Sequence, residues 1–93
     1  MNRVEVSNGV KLYVEDFGDG PPLLFVSGAH LTHKCWESQV AAFGDSFRCV
    51  SFDWRGSGAS DKPRTGYTGE TAAGDVIALV EKLGLAPAVL VAN

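Results

Sequence analysis

The sequence predicts an α/β fold around a mostly parallel sheet, and three features carry that prediction. Two half-apolar runs about Asn8-Gly9 open the chain, three short strand-like segments follow, and two stretches with helical spacing alternate with those three. Strand–helix–strand units with short connections imply right-handed crossovers and hence parallel strands. A hydrophobic content of 45% and a formal charge of -3 over 93 residues describe a globular chain, neither disordered nor basic enough for nucleic acid. A chain this short buries only about 60 to 65% of its unfolded surface, so its core is thin and further mass is expected.

In order, Val4, Val6, Val10, Leu12 and Val14 alternate with Arg3, Glu5, Lys11, Tyr13 and Glu15, which predicts a β-hairpin with a type I′ turn at Asn8-Gly9. Residues 18–22 are Gly, Asp, Gly, Pro and Pro and interrupt the pattern. Leu23 to Val26 is apolar at every position, as expected of a strand covered on both faces. Thr32 is the predicted N-cap of a first helix that carries Cys35, Trp36, Val40 and Phe43 on one stripe and closes on Gly44 as its C′ residue. Trp36 and Phe43 are expected in the core.

Phe47 to Asp53 reads as the next strand, and residues 54–68 form an irregular loop rich in Gly, Pro, Ser and charge. Thr68 or Thr71 caps the second helix, whose apolar face is Ala72, Val76, Leu79, Val80 and Leu83. Gly84 ends it, with Leu85 placed for the Schellman contact. Ala88 to Ala92 is the third buried strand, and its open face and edge require a cover from a further segment.

No apolar run approaches the roughly 18 residues of a membrane helix, so no membrane partner is expected. Cys35 and Cys49 form no C-x-x-C pair, and Met1 runs directly into a strand pattern without a secretory leader. Reduced structural thiols in a cytoplasmic protein fit best.

Three segments carry a family resemblance. Leu23 to His30, followed by Trp36, is similar to the strand of the α/β-hydrolases that ends in His-Gly and leads to their first helix; Ser27 stands in place of that His. Asp53, Arg55, Gly56, Gly58, Ser60 and Pro63 closely resemble the family's D-x-R-G-x-G-x-S-x-x-P loop. Leu83 to Leu85 with Val89 to Asn93 is similar to the helix end and strand that rise into the nucleophile elbow, G-x-S-x-G. The chain thus resembles the amino-terminal part of an α/β-hydrolase sheet, within the esterase, cofactor-free haloperoxidase and C–C hydrolase branch. Residues 1–93 then form one portion of a single domain without an internal boundary.

The resemblance implies roles residue by residue. Gly28 leaves room for a backbone approach, and the N–H of Ala29 supplies half of an oxyanion hole, a donor typically worth about 3 to 4 kcal/mol of barrier. His30 and Leu31, which follow it, are candidates to line the substrate pocket. Asp53 and Arg55 hold their loop through charge-assisted hydrogen bonds, while Gly56 and Gly58 permit positive φ. His33 is expected to be a surface or helix-start residue. A phosphate-cradling reading of Gly56-Ser57-Gly58 fails, because no third glycine opens a helix and no Gly-Lys-Ser/Thr follows.

Alignment to the elbow puts Ala92 on its first glycine and Asn93 before the nucleophile, with the acid and the histidine later still. The chain alone is therefore expected to be inactive and to partner the carboxy-terminal remainder that carries those groups. Proteolytic maturation after Asn93, by attack of a strained nucleophile on its own preceding carbonyl, and plain truncation both remain open. The expected activity is cofactor-free and metal-free acyl transfer to a nucleophile, on an ester, amide, lactone or C–C bond of a small molecule. An Asp nucleophile acting on epoxides or haloalkanes, and a binding protein without turnover, are the alternatives.

Overall fold

The computed structural model describes residues 2–7, 9–28 and 31–92. The predicted hairpin is formed by β1 (Arg3–Ser7) and β2 (Val10–Phe17), paired from Arg3↔Tyr13 to Ser7↔Val10. A register shift between Glu5 and Ser7 marks a bulge that alternation alone does not signal. Ser7 and Val10 enclose a two-residue connection whose Gly9 has φ +80°; Asn8 lies outside the described residues. Val4 and Val6 turn toward the core while Arg3, Glu5 and Ser7 are exposed, so period-2 patterning sets which face packs.

β3 (Pro22–Val26), β4 (Arg48–Phe52) and β5 (Val89–Ala92) complete a five-stranded sheet in the order β1-β2-β4-β3-β5. β3 runs parallel to both β4 and β5, and the second half of β2 joins the sheet antiparallel to β4, from Val14↔Phe52 to Phe17↔Cys49. The two faces separate by strand parity. Leu24, Val50 and Phe52 join Leu12, Val14, Leu79 and Leu85 under α2 (Gly69–Lys82), whereas Phe25 and Cys49 pack with Trp36 on the other face.

α2 follows the sequence reading. Thr68, rather than Thr71, is its N-cap, its hydroxyl accepting from the Thr71 N–H at 3.1 Å. At the other end Gly84 takes φ +64°, its N–H reaches Glu81 O, and the Leu85 N–H reaches Val80 O at 2.9 Å. That pair of bonds is the Schellman motif, and Leu85 is fully buried beneath it.

The first helix differs from its prediction. Thr32 caps a 3-10 turn, His33–Trp36, and α1 begins only at Glu37, running to Phe43. Trp36 is buried, but Phe43 is 44% exposed and meets Phe47 edge-on, and Cys35 is exposed as well. A 3-10 turn rotates about 120° per residue instead of 100°, so the expected stripe drifts off the sheet. Gly44 has ordinary right-handed φ of -61°, not a C′ conformation. The Phe17 ring packs against it, so that a Cβ there would stand 2.3 Å from the ring and displace it.

β5 has the open face and edge that the sequence reading gave it. It is an edge strand with Val89 60% and Leu90 57% exposed, because β3 pairs with only one of its sides.

Candidate active-site scaffold at the carboxyl ends of the parallel strands

The segment after β3 and the loop after β4 emerge side by side, at the end of a parallel sheet where open α/β folds bind ligands. The structure brings Gly28, Asp53, Arg55, Gly56 and Gly58 into this region. Ala29, His30 and Asn93 lie outside the described residues. Leu31 is 41% exposed, and its N–H reaches the Gly28 carbonyl at 3.2 Å.

Asp53, just past β4, is completely withdrawn from solvent. Its Oδ1 accepts from the His33 backbone N–H at 2.7 Å and from His33 Nδ1 at 2.8 Å, and its Oδ2 accepts from the Ala59 N–H at 2.9 Å. Burial pushes the carboxyl upward, but the bonds from Ala59 and His33 outweigh it and hold the group below its ordinary value. Gly58 explains why the loop can close so tightly on this carboxylate. At φ +52° it already favours glycine, and a Cβ there would lie 2.1 Å from Asp53 Oδ2.

Ser60 completes the anchor. Its hydroxyl donates to the Asp53 carbonyl at 2.6 Å and accepts from the Tyr13 N–H at 2.7 Å, tying the loop to the hairpin. Asp61 adds an ion pair with Arg3 and accepts from the Lys11 N–H at 2.9 Å.

Arg55 holds the next part of the loop through a partner the sequence reading did not name. Its Nε and one terminal nitrogen each meet the Asp75 carboxylate of α2 at 2.8 Å, a bidentate pair with side chains 8% and 2% exposed. The Asp75 hydrogen bonds hold Arg55 above its ordinary value against the cost of burying it. A signal was present: Asp75 lies three residues after Ala72 and four before Leu79, on the apolar stripe itself.

His33 is the second functional-looking residue that sequence reasoning placed differently. It does start a helix, but its side chain is only 11% exposed, set on Asp53 and against Tyr13 at a ring separation of 4.8 Å. Trp54 Nε1 donates to the Ser27 carbonyl at 2.8 Å, so the β4 loop also contacts the end of β3. Beside this contact a cleft of about 530 Å³ opens, with Ser27, Trp54, Arg55, Gly56, Tyr67 and Ala72 in its wall; Leu31 is not part of it. Among the described residues no group of three or more His, Cys, Asp or Glu side chains is disposed to hold a metal ion. Nor is any described helix long and apolar enough to cross a membrane.

Comparison with known proteins adds a lineage to this geometry. The family described as alpha/beta hydrolase fold matches residues 21–93. A non-heme chloroperoxidase of Streptomyces lividans is 39% identical over 92 residues, covering 96% of this chain and 33% of that protein. Among solved structures, an esterase of Exiguobacterium antarcticum superposes with a TM-score of 0.92 at 32% identity, covering 96% of this chain and 34% of that one. An epoxide hydrolase of Vigna radiata gives 0.91 at 36% identity, covering 98% and 30%. The chain spans about a third of the length of the curated relatives it matches.

Proposed function

Because the chain belongs to the alpha/beta hydrolase fold family, we propose that it forms the oxyanion-hole side of a cofactor-free hydrolase that transfers an acyl group from a small ester, amide, lactone or C–C substrate to a nucleophile. One observation carries this reading: the loop from Asp53 to Ser60 is docked onto the segment that follows β3, at the carboxyl ends of the parallel strands. In the proposed mechanism the N–H of Ala29 donates to the substrate carbonyl oxygen, on which negative charge develops as the nucleophile adds to its carbon. The carbonyl re-forms as the leaving group departs, and water then releases the acyl group. The nucleophile, the acid and the base are assigned to no residue of this chain and belong to the remainder of the polypeptide.

Gly28 keeps the approach to the donor open in this mechanism, and Leu31, with His30, offers substrate-facing surface. Asp53, Arg55, Gly56 and Gly58 act as scaffold. The exposed Cys35 and buried Cys49 suit reduced thiols and a cytoplasmic protein.

The test uses the complete polypeptide that carries these residues, with p-nitrophenyl acetate as substrate and a fluorophosphonate as active-site label. Turnover that the label abolishes is the expected result. A second reading has its own support, the likeness to the Vigna radiata epoxide hydrolase; styrene oxide opening without fluorophosphonate labelling would favour it. Absence of any turnover and of labelling would leave a binding role.

A further inference from the structure

Two consecutive residues of the β4 loop grip the segment after β3 at both of its ends. At the near end Trp54 Nε1 donates to the Ser27 carbonyl at 2.8 Å. At the far end Asp53 Oδ1 receives both the backbone N–H and Nδ1 of His33, at 2.7 and 2.8 Å. The gripping side is itself immobilised. Ala59 holds the other carboxylate oxygen, the Asp53 N–H reaches the Tyr13 carbonyl at 3.0 Å, and Ser60 holds the Asp53 carbonyl.

The His33 ring is held in one orientation. Asp53, as a carboxylate, only accepts, so Nδ1 carries a proton. The ring lies against Tyr13, and its Nε2 faces the Glu15 carboxylate at 3.6 Å. Within the gripped stretch the Ser27 hydroxyl donates to the Thr32 carbonyl at 3.3 Å and the Leu31 N–H to Gly28. Any residue but proline at position 33 offers a backbone N–H to Asp53. Only a side chain with a donor at the Nδ1 position adds the second, directional bond.

We infer that His33 is a positioning residue for the proposed reaction: through Nδ1 and Asp53 it anchors the far end of the segment that follows β3, the segment whose sequence carries the candidate oxyanion donor Ala29. It touches no substrate, and the inference rests on the hydrolase reading above. An oxyanion donor acts mainly on the transition state, so a slackened segment lowers kcat and leaves KM nearly unchanged.

Three variants of the complete polypeptide test it. His33→Asn carries an amide nitrogen near the Nδ1 position, His33→Gln carries one near Nε2, and His33→Ala carries neither. On p-nitrophenyl acetate, kcat is expected to fall on the order of ten- to a hundredfold in the Ala and Gln variants, the scale of a misplacement of about 1 Å, with Asn restoring most of it. The amide protons of Leu31 and His33 are expected to exchange faster in the Ala and Gln variants and at the original rate in Asn. Unchanged kcat and exchange in all three overturn the inference. Equal losses in Asn and Gln overturn it too, because packing against Tyr13 would then be all that the ring contributes. If the original protein neither hydrolyses the ester nor reacts with a fluorophosphonate, it is the hydrolase reading that fails. The exchange rates alone then support or overturn the hold of His33 on the segment.

Discussion

Asp53 receives three N–H groups while wholly withdrawn from water. Replacing it with Ala leaves those donors unmet at about 1 to 3 kcal/mol each, so Asp53→Ala is expected to lose about 3 kcal/mol or more of stability, read from the urea midpoint by tryptophan fluorescence. Its pH response has a definite sign. The folded carboxyl lies below the unfolded value of 3.8, so its contribution is fully present above that pH and disappears as pH falls through the folded value. Urea midpoints should therefore drop below about pH 4, and less so in Asp53→Asn; superimposable profiles would remove Asp53 from the acid response. For the buried Arg55–Asp75 pair, Asp75→Ala strands a guanidinium and is expected to cost about 3 to 5 kcal/mol in the same assay. The double change Arg55→Met with Asp75→Leu should recover most of that loss, since neither charge then remains buried alone. The motif around Asp53 and Arg55 made these residues visible in the sequence. Their pairing with His33 and Asp75 was not: Asp75 stands out as a charge on an apolar stripe, but a linear pattern names a charge without naming what faces it.

Gly74 within α2 and Gly84 just past its end have opposite consequences. Gly74 lies in the helix interior with nothing within 4 Å of an added Cβ, so Gly74→Ala removes backbone freedom from the unfolded chain and is expected to stabilise by about 0.5 to 1 kcal/mol. Gly84 at φ +64° terminates the helix, and Gly84→Ala is expected to destabilise by about 1 kcal/mol. For a domain of this size, thermal midpoints should move by about 4 to 8 °C per kcal/mol, in opposite directions; a common direction would contradict the assigned roles. The Schellman end was legible because it is local: Gly84 and Leu85 answer carbonyls only a few residues back. The first helix was less so. Thr32 signalled a cap correctly, but the 3-10 geometry depends on the Thr32–Cys35 bond at 3.2 Å and on His33 being drawn to Asp53, 20 residues away.

Over residues 1–93, β5 lies at the edge of the sheet, with Val89 and Leu90 open to solvent. An apolar edge strand is a template for pairing between chains. Sedimentation of the 93-residue chain is expected to show concentration-dependent self-association that Leu90→Lys reduces, and equal behaviour of the two proteins would show that this edge does not pair. The sequence by itself determined the order of elements, the hairpin, the second helix with its Gly84 end, and the loop from Asp53 to Ser60, because periodicity, capping and turn chemistry act over a few residues. Only the tertiary structure decided that β2 reaches past the hairpin to pair with β4, and that His33 and Asp75 complete the loop's ionic anchors. Each of these is a contact between residues distant along the chain. Its energy depends on what burial places opposite a side chain, which no local pattern contains.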